Sequence, residues 1–296
     1  MRVSTHILRR LTFTARLPTL CRSYSAASPT SDPPIIENVI PAPHTGSIKV
    51  LLLSNPKSKN AISTGLLAAL KKAVEPIASG EDVTTRALVI GSAVPGAFCA
   101  GADLKERRTM TPQQVKDFLD GLRGTLKTLE SLPIPTISAI SGLALGGGLE
   151  LALATDLRVV SPSAQVGLPE TRLGIIPGAG GTYRLPQLIG RSRALDIILS
   201  GRRVGAIEAV QIGLANRIVD IGMEDEGRTH TIDAAIEVAQ EICLGGPIAV
   251  KVAKRVVTAC AEEAENNGYL DVVGTKDRDE ALLAFKEKRR PSFKGE

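Results

Sequence analysis

Two glutamates, Glu150 and Glu170, stand twenty residues apart, and each is attached to a run of glycines. Gly146-Gly147-Gly148 comes just before Glu150, and Gly174 and Pro177-Gly178-Ala179-Gly180-Gly181 follow Glu170. The chemistry that suits such a pair is proton transfer. Two carboxylates around one water let one side draw a proton while the other delivers one. Glycines bare backbone N–H groups, and N–H groups aimed at a carbonyl oxygen stabilise negative charge developing there. Each part alone has a plainer reading. A triple glycine also permits close packing of a helix on a strand, and a single loop glutamate is ordinarily solvated.

The surroundings of Glu150 favour a task for it. Its neighbours are Leu149, Leu151, Ala152, Leu153 and Ala154, so its helix has little polar face. A carboxyl buried there has a raised pKa, and a buried charge without partners is costly. Either it does chemistry, or it pairs with an arginine such as Arg158 or Arg172. Nucleotide binding is disfavoured: no Lys-Ser/Thr follows the glycines, G-x-G-x-x-G spacing is absent, and no acidic residue stands where a ribose contact belongs. The chain has three histidines, His6, His44 and His230, the last two in polar, turn-like sequence, and no G-x-S-x-G. Ser/His/Asp catalysis and a histidine metal site are therefore not expected. Cys21, Cys99, Cys243 and Cys260 form no C-x-x-C pair and read as reduced thiols.

The elements that must position these residues follow from periodicity. Residues 47–55, 86–92, 136–141, 157–161, 165–168 and 216–220 read as strands. A helix follows Ser63, with Leu66, Leu67, Leu70, Ala73, Val74 and Ile77 on one face. Another starts at Thr111, where Pro112 and Gln114 complete an N-terminal capping box, and its stripe runs from Val115 to Leu129. A short apolar helix carries Glu150 to about residue 155, and a further helix starts after the second glycine cluster. Helices are expected at 231–244, 248–266 and 277–288. The repeating order of strand, glycine loop and helix predicts an α/β spiral rather than an open sheet. Ile134–Thr155 holds one charge and is long enough to span a bilayer, but its β-branched start, Pro135 and the triple glycine predict a buried strand, turn and helix.

Composition limits the classes further. The 296 residues are 43% hydrophobic but only 3% aromatic, without Trp. That suits a large aliphatic α/β core and not a base-stacking surface. The net charge of +5 comes from Arg2, Arg9, Arg10, Arg16 and Arg22 in residues 1–24, which contain no acid. The remainder holds 31 basic and 31 acidic residues, so the basic balance does not argue for nucleic-acid binding. Residues 1–24 read as a mitochondrial presequence, with cleavage expected after Tyr24 in Arg22-Ser23-Tyr24-Ser25. Residues 25–46, rich in Pro and Ser, read as a linker, 47–220 as the spiral core, and 221–296 as a helical tail. The last residues are not a peroxisomal tripeptide.

Four stretches carry a resemblance. Phe98-Cys99-Ala100-Gly101-Ala102-Asp103-Leu104-Lys105, Ala144–Ala152, Gly167-Leu168-Pro169-Glu170 and Ile176–Thr182 resemble the enoyl-CoA hydratase/isomerase (crotonase) superfamily. Thr275-Lys276-Asp277-Arg278 and Ala284–Arg289 match its ending, so the likeness covers roughly 45–296. It implies a crotonase-like spiral of ββα units with a C-terminal helical trimerisation region, assembled as a homotrimer or dimer of trimers. It implies hydration of an enoyl-CoA, syn across the 2,3-double bond, with no metal or redox cofactor. The N–H groups of Ala102 and Gly147 would form the oxyanion hole, Glu150 would activate the water, and Glu170 would protonate the α-carbon. Gly178 would position water or substrate. Lys57 and Lys105 would lie along the CoA, and Phe285 and Lys288 would reach it from a neighbouring subunit. The substrate implied is 3-methylglutaconyl-CoA of leucine breakdown, in the mitochondrial matrix. A short-chain or secondary-metabolism enoyl-CoA is the alternative, and an RNA-binding protein with weak hydratase activity is the alternative of another class. In an RNA-binding branch of the superfamily the first long helix carries lysines at i, i+4 and i+8. Here those positions are Thr64, Ala68 and Lys72, which argues against RNA. Ala261–Gly274 is shorter than the family pattern by roughly two helical turns.

Overall fold

The computed structural model describes residues 33–219 and 228–296. The expected presequence, its cleavage site, His6 and Cys21 lie outside the described residues. Strands β1 (Ile35–Pro41) and β2 (Ser47–Leu53) lead into α1 (Thr64–Ser79), and β3 (Thr85–Ser92) and β4 (Ala97–Cys99) into α2 (Leu104–Arg107) and α3 (Pro112–Glu130). Next come β5 (Thr136–Ile140), β6 (Leu143–Leu145) and α4 (Gly147–Leu153), then β7 (Leu157–Val160) and β8 (Gln165–Gly167). The chain continues through α5 (Gly181–Ile189), α6 (Arg191–Ser200), β9 (Val204–Gly205), α7 (Ala206–Gln211) and β10 (Arg217–Ile218). It ends in α8 (Arg228–Cys243), α9 (Pro247–Ala259), α10 (Glu262–Val273) and α11 (Lys276–Glu287).

The strands form two sheets, ordered β1-β2-β3-β5-β7-β10 and β4-β6-β8-β9. Each turn of the chain places one strand in each sheet: β3 then β4, β5 then β6, β7 then β8. This is the expected spiral of ββα units. Within the large sheet every pairing from β2 onward is parallel. Such a sheet is covered on both faces, so its strands are near-continuous apolar runs. Alternate residues divide between two cores accordingly. Leu51, Leu53, Leu88 and Ile90 face the larger core with α1 and α3, while Val50, Leu52, Ala87 and Val89 meet Ala235, Val238 and Ala239 of α8.

Local signals account for several boundaries. Ser63 caps α1 through the Leu66 N–H, and Thr111 and Gln114 form the capping box of α3. The apolar stretch 134–155 becomes β5, β6 and α4, and among the described residues no helix is long and apolar enough to cross a membrane.

Four expectations require correction. Residues 35–41, assigned to the linker, form β1, which pairs antiparallel with β2 from Ile35 opposite Leu53 to Pro41 opposite Ser47. The β-branched run Ile35, Ile36, Val39 and Ile40 suits a strand, and the edge position tolerates Pro41. The expected helix 248–266 is two helices. Cys260 adopts a left-handed conformation (φ 49°) and ends α9 with an N–H bond to the Val256 carbonyl. Glu262, Glu263 and Glu265 then favour a new helix start at α10. Helix α8, placed with the tail, packs on β3, β5 and β7, and His230 is in that helix rather than in a turn. Helices α6 and α7 had no clear sequence signal.

Candidate active site

Three parallel strands of the small sheet end side by side. β6 pairs with β4 on one flank and with β8 on the other. Ala102 follows β4, Gly147 follows β6, and Glu170 follows β8. Ligands of parallel α/β sheets bind beyond the carboxyl ends of the strands, and this is such a place. The Gly146 N–H donates to the Gly167 carbonyl at 2.9 Å, which ties the β6 turn to the β8 turn.

The loop bearing Ala102 is held from beneath. Buried Asn60 donates through Nδ2 to Ser92 Oγ at 2.8 Å and to the Phe98 carbonyl at 2.9 Å. The Ile62 N–H donates to the Gly101 carbonyl at 2.7 Å, and the Asp103 N–H to the Ile62 carbonyl at 3.2 Å. Ala102 sits between those two bonds, and its own N–H takes part in neither. Gly147 is the first residue of α4, so its N–H has no partner inside the helix. The two donors converge: a Cβ built on Gly147 would lie 3.7 Å from Ala102 N, and one on Gly101 would lie 3.6 Å from Gly147 N. Gly146 enters the helix at φ 52° and ψ −125°, open to a glycine but strained for a side chain. A Cβ there would stand 3.1 Å from Glu170 Oε1.

Glu150 is one turn into α4 and only 3% exposed. Its Oε1 accepts from the Ala179 N–H at 2.7 Å and the Gly181 N–H at 2.8 Å. Gly181 opens α5, so the carboxylate also sits at the positive end of a helix. Burial pushes the Glu150 pKa up, while those two N–H groups and the charges of Arg184 and Arg123 oppose the shift. Arg184 is fixed by bidentate bonds to Glu130 and by donation to the Ala179 carbonyl.

Glu170 is differently placed. It is 8% exposed, and its Oε2 is buried without a hydrogen-bond partner among the described residues. Burial drives its pKa up to about 7, with the Glu150 charge adding to the rise and a backbone N–H bond opposing it. Two nearby carboxyls resist double ionisation. Glu150, with its N–H cradle, is the better site for charge, and Glu170 the better site for the proton. Both carboxyls face the same space, one cradled by N–H groups and the other with an unpartnered oxygen among the described residues.

That space is a cavity of about 1050 Å³. Ala102, Gly147, Glu150, Glu170 and Gly178 all line it, so five sequence-predicted site residues meet in one place. Its lining includes the apolar residues Leu104, Val115, Leu119, Ile175 and Ile176. Gly178 lines the cavity, but the N–H groups on Glu150 are those of Ala179 and Gly181, and the Gly178 carbonyl accepts from Arg123 Nε at 2.7 Å.

The remaining candidates fall elsewhere. Arg158 donates to the carbonyls of Leu214 and Thr155, and Arg172 to that of Ser200, so neither pairs with Glu150. Lys57 and Lys105 are exposed and do not line the cavity, although the Ala100 N–H bond to the Lys59 carbonyl joins their two segments. Phe285 is 86% exposed near the end of α11, and Lys288 caps that helix. Among the described residues no cluster of three His, Cys, Asp or Glu is placed to hold a metal ion. The sequence reading missed Asn60, Ala179, Gly181, Arg107, Arg123 and Arg184. Only the glycine run around Ala179 offered a signal for any of them.

Comparison with known proteins agrees with this geometry. The family model described as enoyl-CoA hydratase/isomerase matches residues 44–296. An enoyl-CoA isomerase/hydratase of Zymoseptoria tritici is 54% identical over 264 residues, covering 86% of each chain. A mitochondrial methylglutaconyl-CoA hydratase 1 of Pyricularia oryzae is 48% identical over 315 residues, covering 93% of this chain and 90% of that protein. The crystal structure of an enoyl-CoA hydratase from Bacillus anthracis matches with a TM-score of 0.81 at 42% identity, over 89% of this chain and 100% of that one.

Proposed function

This chain belongs to the enoyl-CoA hydratase/isomerase family, and from that premise we propose that it hydrates an enoyl-CoA thioester, adding water syn across the 2,3-double bond. The observation that carries this is the pair of buried carboxyls, Glu150 and Glu170, facing one cavity beside the Ala102 and Gly147 N–H groups. The thioester oxygen sits between those two donors, which polarises the conjugated system and leaves C3 electron-poor. Glu150 draws a proton from a water held in the cavity, and the oxygen of that water bonds to C3. The electron pair of the double bond moves onto the thioester as an enolate, whose oxygen the two N–H groups stabilise. Glu170 then delivers its proton to C2 and is left ionised, and transfer of the proton gained by Glu150 to Glu170 through a water restores the starting carboxylate and acid. Water and acid approach from the side of the two glutamates, hence syn addition. These steps use the chain's own groups, without a metal or redox cofactor.

We propose 3-methylglutaconyl-CoA as the substrate, following the name of the Pyricularia relative. The Zymoseptoria relative is named only as an enoyl-CoA isomerase/hydratase, and the second reading is a hydratase of a short-chain or secondary-metabolism enoyl-CoA thioester. The test is loss of the absorbance of the conjugated thioester. The protein is expected to hydrate 3-methylglutaconyl-CoA faster than crotonyl-CoA or a long-chain enoyl-CoA. The opposite order would select the second reading, and no turnover of any thioester would end the hydratase proposal.

The proposal extends to assembly and location. Val257, Tyr269, Leu270, Leu282, Leu283 and Phe285 are exposed apolar residues on α9, α10 and α11, more than an isolated surface favours. They support a homotrimer or dimer of trimers, in which Phe285 and Lys288 reach the CoA of a neighbour while Lys57 and Lys105 flank it. Light scattering should give three or six times the chain mass, and a monomer would refute it. The arginine-rich leader, with the mitochondrial name of the Pyricularia protein, supports the mitochondrial matrix. RNA is not included: Thr64 and Ala68 occupy the exposed face of α1 where cations would be needed.

A further inference from the structure

One cation in the cavity has no counterpart in the mechanism. Arg107 is the last residue of α2, five positions after Ala102. Its guanidinium lies over Phe118, 4.8 Å from the ring centroid, and it lines the cavity among Leu104, Val115 and Leu119. Its Nε is buried without a hydrogen-bond partner among the described residues. Burial works against its charged form and lowers its pKa, and the charge of Glu150 opposes that shift. An arginine nonetheless remains protonated in a protein.

The two other cations lining the cavity differ. Arg123 is committed to the Gly178 carbonyl and to Asp120. Lys127 is exposed, so water already solvates it. Of the three, Arg107 is the one half-buried against an apolar wall, with a buried Nε that has no hydrogen-bond partner among the described residues. A buried donor without an acceptor is costly, and a carboxylate is the planar acceptor that matches a guanidinium fork. The fixed point of the substrate is the thioester oxygen at Ala102 and Gly147. An acceptor carried a few bonds beyond the double bond would stay within the cavity that Arg107 also lines.

Resting on the hydration reading above, we propose that Arg107 selects enoyl thioesters whose acyl chain ends in a second carboxylate, by pairing its guanidinium with that group. The selection is built into α2, which Asp103 caps by accepting from the Lys105 and Glu106 N–H groups at 3.0 and 3.2 Å. The same short segment thus carries an oxyanion donor at one end and the reader of the distal group at the other.

The test compares glutaconyl-CoA with 2-pentenoyl-CoA, which has the same chain length and a methyl in place of the carboxylate. The full chain is assayed as wild type, Arg107→Met, Arg107→Lys and Lys127→Met. Wild type is expected to favour glutaconyl-CoA. Arg107→Met is expected to lower the ratio of kcat/KM for glutaconyl over pentenoyl thioester by roughly 100-fold, the worth of a charged hydrogen bond, chiefly through KM. Arg107→Lys keeps the charge without the fork, so it should lose part of the ratio and also serves if the Met variant fails to fold. Lys127→Met should move the ratio by less than roughly threefold, as for an exposed cation. An unmoved ratio in both Arg107 variants overturns the inference, as does equal loss on both thioesters, which would place Arg107 on the shared CoA. Loss carried by Lys127→Met overturns it too. Those outcomes leave hydration standing, whereas a wild type inactive on both thioesters removes hydration and this inference together.

Discussion

Glu170→Gln is expected to hydrate an enoyl thioester about a thousandfold more slowly than wild type, within the range general acid catalysis contributes, while still binding CoA. Gln keeps the shape but has no proton to give to C2. The pH profile supplies a second readout. With the Glu170 pKa of the free protein near 7, wild-type kcat/KM should fall as pH rises through about 7, because the acid is lost, and the Gln variant should lack that limb. Folding stability should also fall with rising pH. The Glu170 pKa is raised from an ordinary 4.5 to about 7, so between those values the folded state holds a proton that the unfolded state releases. Stability from this group is therefore greatest below pH 4.5 and is lost as pH rises toward 7. Gln has no charge to bury, so the variant should be the more stable protein at pH 8, by up to about 3 kcal/mol, and should show little difference at pH 4. Denaturant titrations at the two pH values measure this. Undiminished turnover in Glu170→Gln would sink the mechanism, and equal stability at pH 8 would refute the buried, raised carboxyl.

Gly148→Ala is expected to be the most disruptive single methyl in the site. Its Cβ would stand 2.2 Å from the Cys99 carbonyl oxygen and 2.8 Å from that carbonyl carbon. Both are backbone atoms of β4, so nothing flexible can give way, and α4 must lift from the strand. Overpacking of this kind costs about 3 kcal/mol. The displacement should also remove activity, since Gly147 and Glu150 are both in α4. A shift of that size at the oxyanion donor should cost about a hundredfold in kcat. The thermal midpoint and kcat should fall together. An unchanged midpoint would mean that the helix does not pack this closely.

These two positions also show what is legible without a structure. Glu150 among leucines and alanines reads as buried because helical neighbours along the chain decide its surroundings. Glycine runs read as turns with bared N–H groups because φ freedom is a property of the residue itself. The helix starts after Ser63 and at Thr111 read correctly because each residue satisfies an N–H group within three residues. Other elements were less legible: β1 because edge pairing rests on a partner strand, and the break at Cys260 because a left-handed conformation in a non-glycine residue has no compositional mark.

The sequence by itself determined the reacting groups, the glycine clusters beside them, and the alternation of strand and helix, because each is set by residue type or by contacts a few positions away. Only the tertiary structure decided that Ala102 and Gly147 converge, that Ala179 and Gly181 rather than an arginine hold Glu150, and that the Arg107 Nε is left without a hydrogen-bond partner among the described residues. The physical reason is the parallel pairing of β4, β6 and β8. Its hydrogen bonds join strands more than twenty residues apart through generic backbone groups. The meeting of their ends is therefore a property of the sheet and leaves no pattern in any one stretch of the chain.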